Sequence, residues 1–213
     1  MSIRVVLATH NAHKVTEFQE ILGRILPDIE IVAYDGPEPI EDGASFTANA
    51  LIKARAAAVH TGLPALADDS GICVGIMSGA PGIFSARWAG PDKGAQANVD
   101  LLLAQLGDIH GANREAWFTC AIALVVPAGA GADPDDGVFA HVAVGEWRGL
   151  VAAAPQGEHG FGYDPIFLPD GLPDGQAGLS AAELTAEQKN AVSHRTRAFT
   201  ELIPVLRMSV IPN

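Results

Sequence analysis

The 213-residue sequence has few of the residues from which several common kinds of site are built. Its two cysteines, Cys73 and Cys120, have no paired spacing, which argues against a disulfide framework or a zinc cluster. No apolar run approaches the roughly 20 residues of a membrane span, and the N-terminus lacks the basic region of a signal peptide. We therefore expect a globular, cytoplasmic protein that spans no membrane.

Positive charge is also scarce. Lysine and arginine number 13 against 25 acidic residues, and this balance of −12 disfavours binding to a nucleic-acid backbone. Only four lysines occur, Lys14, Lys53, Lys93 and Lys189. Three of them border predicted strand ends or helix starts, which favours a local cluster that attracts an anionic ligand, although chance can also place four residues this way.

Length and hydrophobic periodicity predict one α/β domain, residues 1–213, built as two lobes. A β-branched run over 3–9 predicts a buried strand, and a helix follows it up to Pro27. Similar patterns predict strands at 30–34, 65–67, 117–126, 138–147 and 166–167, and helices at 46–59, 96–106 and from 185 onward. The linker at 127–137 is rich in glycine, alanine and aspartate, so we expect an exposed tip there.

The segment Thr9–Lys14 leaves the first strand and opens a helix. Free backbone N–H groups and the helix dipole suit such a place to a phosphate, and Lys14 adds a charge. The glycines of a Walker A loop are absent. The alternative is an ordinary helix cap made by Asn11.

Asp68 and Asp69 follow the predicted strand at 65–67. Adjacent carboxylates on an extended segment point to opposite sides, so one can face a cleft while the other anchors the loop. A carboxylate in a cleft can hold Mg²⁺, and Glu41 is a candidate second ligand. The alternative is a solvated turn over 68–71.

A glycine-rich loop at 157–164 is followed by Pro165 rather than by a helix, which excludes a dinucleotide-binding fingerprint. A phenylalanine framed by glycines can expose a flat ring on which a base stacks. The alternative is that Phe161 and Tyr163 fill the core.

The last helix carries Lys189, Ser193, His194 and Arg195 near its start. In an unbroken helix Lys189 and His194 would lie about 140° apart and could not share a ligand easily. We therefore predict a break over 190–193, with Ser193 as a new N-cap. The alternative is a solvated polar helix face.

Taken together, these segments resemble the inosine triphosphate pyrophosphatase family. Six matching stretches appear in the family's order from residue 5 to about 200, which is more specific than any one motif. They are 6–14, 46–55, 66–71, 79–87, 160–167 and 187–195.

The resemblance implies an elongated mixed β-sheet flanked by helices, with two lobes and an active-site cleft between them. It also implies a homodimer that uses Mg²⁺ to hydrolyse the non-standard purine nucleotides ITP, dITP and XTP to a monophosphate and pyrophosphate. Such an enzyme cleanses the nucleotide pool.

The resemblance further implies a role for each matched position. Asp69 and Lys53 would be catalytic, and Asp69 and Glu41 would hold the metal. The residues that would bind the substrate are Thr9, His10, Asn11, Ala12, His13, Lys14, Ser70, Phe161, Gly162, Tyr163, Asp164, Lys189, His194 and Arg195.

Two positions depart from the family pattern. Ala48 stands where relatives usually carry an acidic residue, and Ile40 stands where many carry a second carboxylate. Two other functions therefore remain open: a pyrophosphatase for modified pyrimidine triphosphates on a related fold, and a nucleotide-binding module without catalysis. Asp69 and the three matched lysines argue against the second.

Overall fold

A computed structural model describes residues 2–127 and 138–210. It contains one six-stranded sheet in the order β2-β1-β3-β4-β5-β6. The strands are β1 (Ile3–Leu7), β2 (Ile29–Ala33), β3 (Ala65–Val74), β4 (Glu115–Val126), β5 (Phe139–Val151) and β6 (Phe167–Pro169). The predicted mixed sheet of an α/β fold is confirmed, because β1 pairs with β2 and β3 in parallel whereas β5 and β6 are antiparallel.

Five α-helices accompany the sheet in the described ranges. They are α1 (Ala12–Ile25), α2 (Phe46–Thr61), α3 (Ala95–Gln105), α4 (Ala186–Val192) and α5 (His194–Val210). The side chain of Ser45 accepts a hydrogen bond from the N–H of Ala48 and so begins α2, and Gly62 in a left-handed conformation ends it.

The third strand is longer than the segment 65–67 that the sequence predicts. β3 continues from Ala65 through Asp68–Gly71 to Val74, so this tetrapeptide is neither a strand end nor a solvated turn. Polar residues and glycine predict a turn locally, but here the segment is extended within the strand. The two adjacent carboxylates therefore point to opposite faces of the sheet.

The predicted break in the last helix is confirmed. α4 ends at Val192 and α5 begins at His194, while the Oγ of Ser193 accepts a hydrogen bond from the N–H of Thr196 at 3.3 Å. This is the N-cap arrangement expected of Ser193. A capping box formed by Thr185 and Gln188 begins α4.

The chain forms two compact units that interleave along the sequence. The first comprises residues 1–69, 121–144 and 198–213, and the second comprises residues 70–120 and 145–197. An alanine-rich face of α2 packs in the core of the first unit, and Phe118, Trp147 and Phe167 are central to the core of the second. The elongated shape, the cleft and the single-domain assignment stay predictions.

The buried side chain of Arg114 organises part of the second unit. Its guanidinium donates hydrogen bonds to the carbonyl oxygens of Leu106, Ile109, Val151 and Ala152 at 2.7–3.0 Å. These bonds tie the end of α3 to the end of β5, and burial lowers the pKa of the guanidinium.

Across the described ranges, we find no helix with the length and apolarity required to cross a membrane. The exposed tip expected within 127–137 falls outside the described residues from 128 onward.

Candidate active site

The carboxylate of Asp68 anchors Lys14. Its side chain is only 3% exposed, and the Nζ of Lys14 lies 2.8 Å from its Oδ1 and 3.1 Å from its Oδ2. Because β1 and β3 are parallel neighbours, the loop that follows β1 reaches the middle of β3. Asp68 is thus the buried member of the carboxylate pair, and it fixes the lysine that opens α1.

Asp69 takes part in a second contact with lysine. The Nζ of Lys53, on α2, lies 3.6 Å from Asp69 Oδ1 and 3.3 Å from Glu41 Oε1. Lys53 and Asp69 are about 15% exposed, whereas Glu41 is 36% exposed. One ammonium group therefore lies against two carboxylates, and we call Lys14, Glu41, Lys53, Asp68 and Asp69 the β3 cluster.

The environment of Asp69 favours its protonated form. Burial raises the pKa of this carboxyl above its ordinary value, and the charges of Glu41 and Asp68 add to the rise. The charge of Lys53 and a hydrogen bond from Asn49 oppose it. A carboxylate whose pKa is moved toward neutrality in this way is suited to accept a proton.

Asn49 is a residue whose role the sequence analysis missed. It is 2% exposed, and its Nδ2 donates to Asp69 Oδ2 at 3.1 Å while its Oδ1 accepts from the N–H of Gly43 at 2.9 Å. One amide thus fixes the orientation of Asp69 and the position of the turn that follows Glu41. The signal in the sequence that could have indicated this role is a polar residue in the first turn of an alanine-rich helix.

A cavity of about 150 Å³ opens beside the β3 cluster. Its lining includes Thr9, Lys14, Glu41, Lys53 and Asp68. Ammonium groups and carboxylates line one space, so the cavity suits an anion accompanied by a cation.

The carboxylates also fit a magnesium ion. Among the described residues, no three His, Cys, Asp or Glu side chains are grouped to hold a metal by themselves. Mg²⁺ is usually bound by one or two carboxylates together with substrate phosphates. Asp69 and Glu41, which both lie against the ammonium group of Lys53, have the carboxylate chemistry of such a donor set.

In the loop over 9–14, Thr9 contacts the loop itself, whereas His10 contacts residues 34–38. The hydroxyl of Thr9 accepts a hydrogen bond from the N–H of Asn11 at 3.1 Å. The ring of His10 stacks on Tyr34, and its nitrogens lie 3.0 Å from the carbonyl oxygen of Gly36 and 3.2 Å from Glu38. The side chains of Ala12 and His13 lie outside what the structure describes, so the substrate contacts expected of them stay predictions.

A second group of predicted residues comes together in the second unit. The Nζ of Lys189 lies 2.5 Å from Asp164 Oδ2 and 5.0 Å from the centre of the Phe161 ring. Asp164 is 2% exposed, and it also accepts a hydrogen bond from the N–H of Phe161 at 2.8 Å. Phe161, Asp164 and Lys189 form what we call the Phe161 cluster.

The two aromatic residues of this loop have opposite surroundings. Phe161 is 69% exposed, whereas Tyr163 is buried and donates a hydrogen bond to the carbonyl oxygen of Ser85 at 2.9 Å. Gly160 makes the turn possible, because its φ is +77° and a Cβ there would collide with the Asp164 carboxylate. The core position considered for both rings is therefore correct for Tyr163 and wrong for Phe161.

The remaining predicted residues occupy the start of α5 and the middle of β3. His194 and Arg195 are each 7% exposed, and the His194 ring stacks on Phe118 with centroids 4.9 Å apart. The solvated helix face considered for them is wrong. Ser70 is half-buried in β3, next to Asp69.

Comparison with known proteins places this geometry in a family. The model of the Ham1 family matches residues 5–205. The chain belongs to the Ham1 family. A relative from Leifsonia xyli subsp. xyli, named dITP/XTP pyrophosphatase, is 58% identical over 205 residues and covers 96% of each chain. The family resemblance read from the six motifs is thereby confirmed.

Solved structures of the Ham1 family have the same fold. A HAM1 protein from Coxiella burnetii is 39% identical, with a TM-score of 0.81 over 97% of this chain and 100% of its own. A nucleoside-triphosphatase, also named dITP/XTP pyrophosphatase, from Mycobacterium abscessus is 43% identical, with a TM-score of 0.75 over 95% of this chain and 100% of its own.

Proposed function

We propose that this chain is a Mg²⁺-dependent pyrophosphatase that hydrolyses ITP, dITP and XTP to the nucleoside monophosphate and pyrophosphate. The names of its relatives support the substrate class. The observation that carries the proposal is the position of Asp69, a half-buried carboxylate with a raised pKa beside Lys53 and Asn49. This is the environment of a proton acceptor.

The β3 cluster supplies the groups that a triphosphate requires. Lys14 and Lys53 offset phosphate charge, and the N–H groups of the loop over 9–14 donate to phosphate oxygens. Asp69 and Glu41 would hold Mg²⁺, which supplies charge neutralisation and Lewis acidity when it is bound. Ala48, in the first turn of α2, offers no carboxylate, so Glu41 and Asp69 form the whole donor set in this proposal.

Asp69 carries the proton transfer. A water molecule attacks the α-phosphorus, and its proton passes to the Asp69 carboxylate as the new P–O bond forms. The bond from the α-phosphorus to the bridging oxygen breaks, and the electron pair leaves with pyrophosphate. Asn49 donates to Oδ2 of Asp69, so the oxygen that would accept the proton is Oδ1, which lies 3.6 Å from the Nζ of Lys53.

The second unit carries the groups that recognise a base. The exposed ring of Phe161 offers a stacking surface, and Lys189 lies above that ring. Lys189, His194 and Arg195 would donate to the 6-oxo group of hypoxanthine or xanthine, and Gly162, Tyr163 and Ser70 would shape the surroundings of the nucleoside. ATP presents a 6-amino group, against which these donors stay unpaired, so it is rejected.

The proposal also covers the oligomeric state and the cellular location of the enzyme. We expect a cytoplasmic homodimer, with a purine nucleoside triphosphate as its ligand. The charge of −12 disfavours a nucleic-acid partner.

The test is product analysis with the 213-residue chain. We expect XTP, dITP and ITP to give monophosphate and pyrophosphate with Mg²⁺, to give neither with EDTA, and to be hydrolysed far faster than ATP or GTP. Faster hydrolysis of a modified pyrimidine triphosphate would favour the related-fold alternative. Tight binding of XTP without hydrolysis would favour the binding module, and neither outcome is compatible with the proposal.

A further inference from the structure

The side chain of Ser85 connects two segments of the second unit. It is 6% exposed and lies in a 3-10 helix, Gly82–Arg87. Its Oγ accepts a hydrogen bond from the N–H of Ile72 in β3 at 3.0 Å and donates to the carbonyl oxygen of Gly82 at 2.6 Å. A hydroxyl group thus satisfies a buried N–H of the strand that carries Asp69 and Ser70.

The contact between this helix and β3 is tight. A Cβ at Gly71 would collide with the Oγ of Ser85 and lie 2.6 Å from the carbonyl oxygen of Gly82, so position 71 has no room for a side chain. The far end of the 3-10 helix is held by the buried side chain of Asn98, which accepts from the N–H of Ala89 and donates to the carbonyl oxygen of Ala86. Ser85 therefore has little freedom to move.

The backbone of Ser85 is bonded to the loop at 161–164. The hydroxyl of Tyr163 donates to the carbonyl oxygen of Ser85 at 2.9 Å, and both groups are buried. Burial raises the pKa of Tyr163, so the hydroxyl keeps its proton and remains a donor. Two hydrogen bonds in series thus connect Tyr163 to Ile72 through a single residue.

We propose that Ser85 is a positioning residue that couples the base-reading loop at 161–164 to the segment Ser70–Ile72 of β3. The inference rests on the proposed function, since it concerns how the energy of base binding is used. In a nucleoside triphosphate the sugar separates the base from the α-phosphorus, and binding energy from such a remote part of the substrate accelerates the reaction only if rigid contacts transmit it to the reacting groups. Ser85 supplies that contact.

The test compares a substrate that has a base with one that has none. XTP and ribose 5-triphosphate present the same phosphates, but only XTP can use the loop at 161–164. We expect Ser85→Ala to lower the ratio of kcat/KM for XTP to kcat/KM for ribose 5-triphosphate by roughly 10- to 100-fold, the size of effect expected of a misplacement of about 1 Å. The rate with ribose 5-triphosphate should hardly change.

Tyr163→Phe provides a second variant, because it removes one hydroxyl group and keeps the ring. It should lower the same ratio, and the double variant should be no worse than the more affected single variant, since both changes cut one connection. Ser180→Ala is the matched control. Ser180 is fully buried in the same unit and donates to the carbonyl oxygen of Gln156, so its loss should leave the ratio unchanged.

Equal losses of kcat/KM with XTP and ribose 5-triphosphate would make Ser85 merely structural and would overturn the inference. A ratio of the two kcat/KM values that stays unchanged in both Ser85→Ala and Tyr163→Phe would overturn it as well. Failure of the unmodified protein to hydrolyse XTP would refute the proposed function, and the inference with it. The unmodified protein therefore distinguishes the two failures.

Discussion

The β3 cluster and the Phe161 cluster use lysine in different ways. In the β3 cluster two lysines lie against three carboxylates, and the cavity beside them has charged walls. In the Phe161 cluster one lysine lies against one buried carboxylate and above an aromatic ring that is 69% exposed. The first arrangement suits phosphates and a cation, and the second suits a flat, nearly neutral base.

This difference shows how an acidic protein can bind a polyanion. Three of its four lysines form ion pairs with carboxylates that the fold positions, so most of the lysine charge lies in these two clusters. Asp68 and Asp164 are both about 3% exposed on their side chains, and each orients the lysine it binds. In the proposed function, the chemistry belongs to the β3 cluster and the selection of the base belongs to the Phe161 cluster.

The largest expected effect comes from removing the charge of Asp69. Asp69→Asn keeps the shape and the hydrogen bond from Asn49 but cannot accept a proton, so kcat for XTP should fall by about 10²- to 10⁴-fold. Steady-state kinetics with Mg²⁺ measure this effect. A fall smaller than tenfold would contradict the role of Asp69 as the proton acceptor.

The same variant should melt at a higher temperature. The folded state raises the pKa of Asp69, so the stabilisation tied to its protonated form is present at low pH and is lost as the pH rises through the folded-state value. At neutral pH the ionised carboxylate is therefore a net cost, which asparagine avoids. Thermal melts should show a higher Tm for Asp69→Asn than for the unmodified protein at pH 7, and this difference should disappear near pH 4. A lower Tm for the variant at pH 7 would contradict the assigned direction of the pKa shift.

A smaller effect is expected in the Phe161 cluster. Loss of a stacking ring costs roughly 1–3 kcal/mol per base, so Phe161→Ala should lower kcat/KM for XTP by about 5- to 150-fold. Phe161 is exposed, so the Tm should hardly change. Phe139→Ala is the control, because this exposed ring starts β5 and belongs to neither cluster; an equal loss in the control would show that the effect is not specific to stacking.

The smallest effect should come from Asn49. Its hydrogen bond lowers the pKa of Asp69, so Asn49→Ala should move the acid limb of the kcat profile to higher pH and lower kcat several-fold at neutral pH. Asn98→Ala removes another buried asparagine that binds no carboxylate and should leave the limb in place. An acid limb that moves to lower pH in Asn49→Ala, or that moves equally in Asn49→Ala and Asn98→Ala, would contradict this account.

Much of this arrangement follows from local sequence patterns. Hydrophobic periodicity predicted β1, α2 and α3 to within a few residues, and helical geometry predicted the break at Ser193. Local sequence could not decide whether β3 continues through Asp68–Gly71, because the hydroxyl that accepts from the N–H of Ile72 belongs to Ser85, 13 residues later in the chain. The role of Asn49 was missed for the same reason, since Asp69 is 20 residues away in sequence.

The most direct test of the division between the clusters is the XTP-to-ATP ratio of kcat/KM in two lysine variants. Lys189→Met should bring the ratio toward one, mainly by loss of activity with XTP, because it removes a donor that only a 6-oxo base can use. Lys14→Met should lower activity with both nucleotides equally and keep the ratio, because in the proposed function Lys14 contacts the phosphates, which both nucleotides share. A ratio that changes equally in both variants, or that changes only in Lys14→Met, would contradict the account.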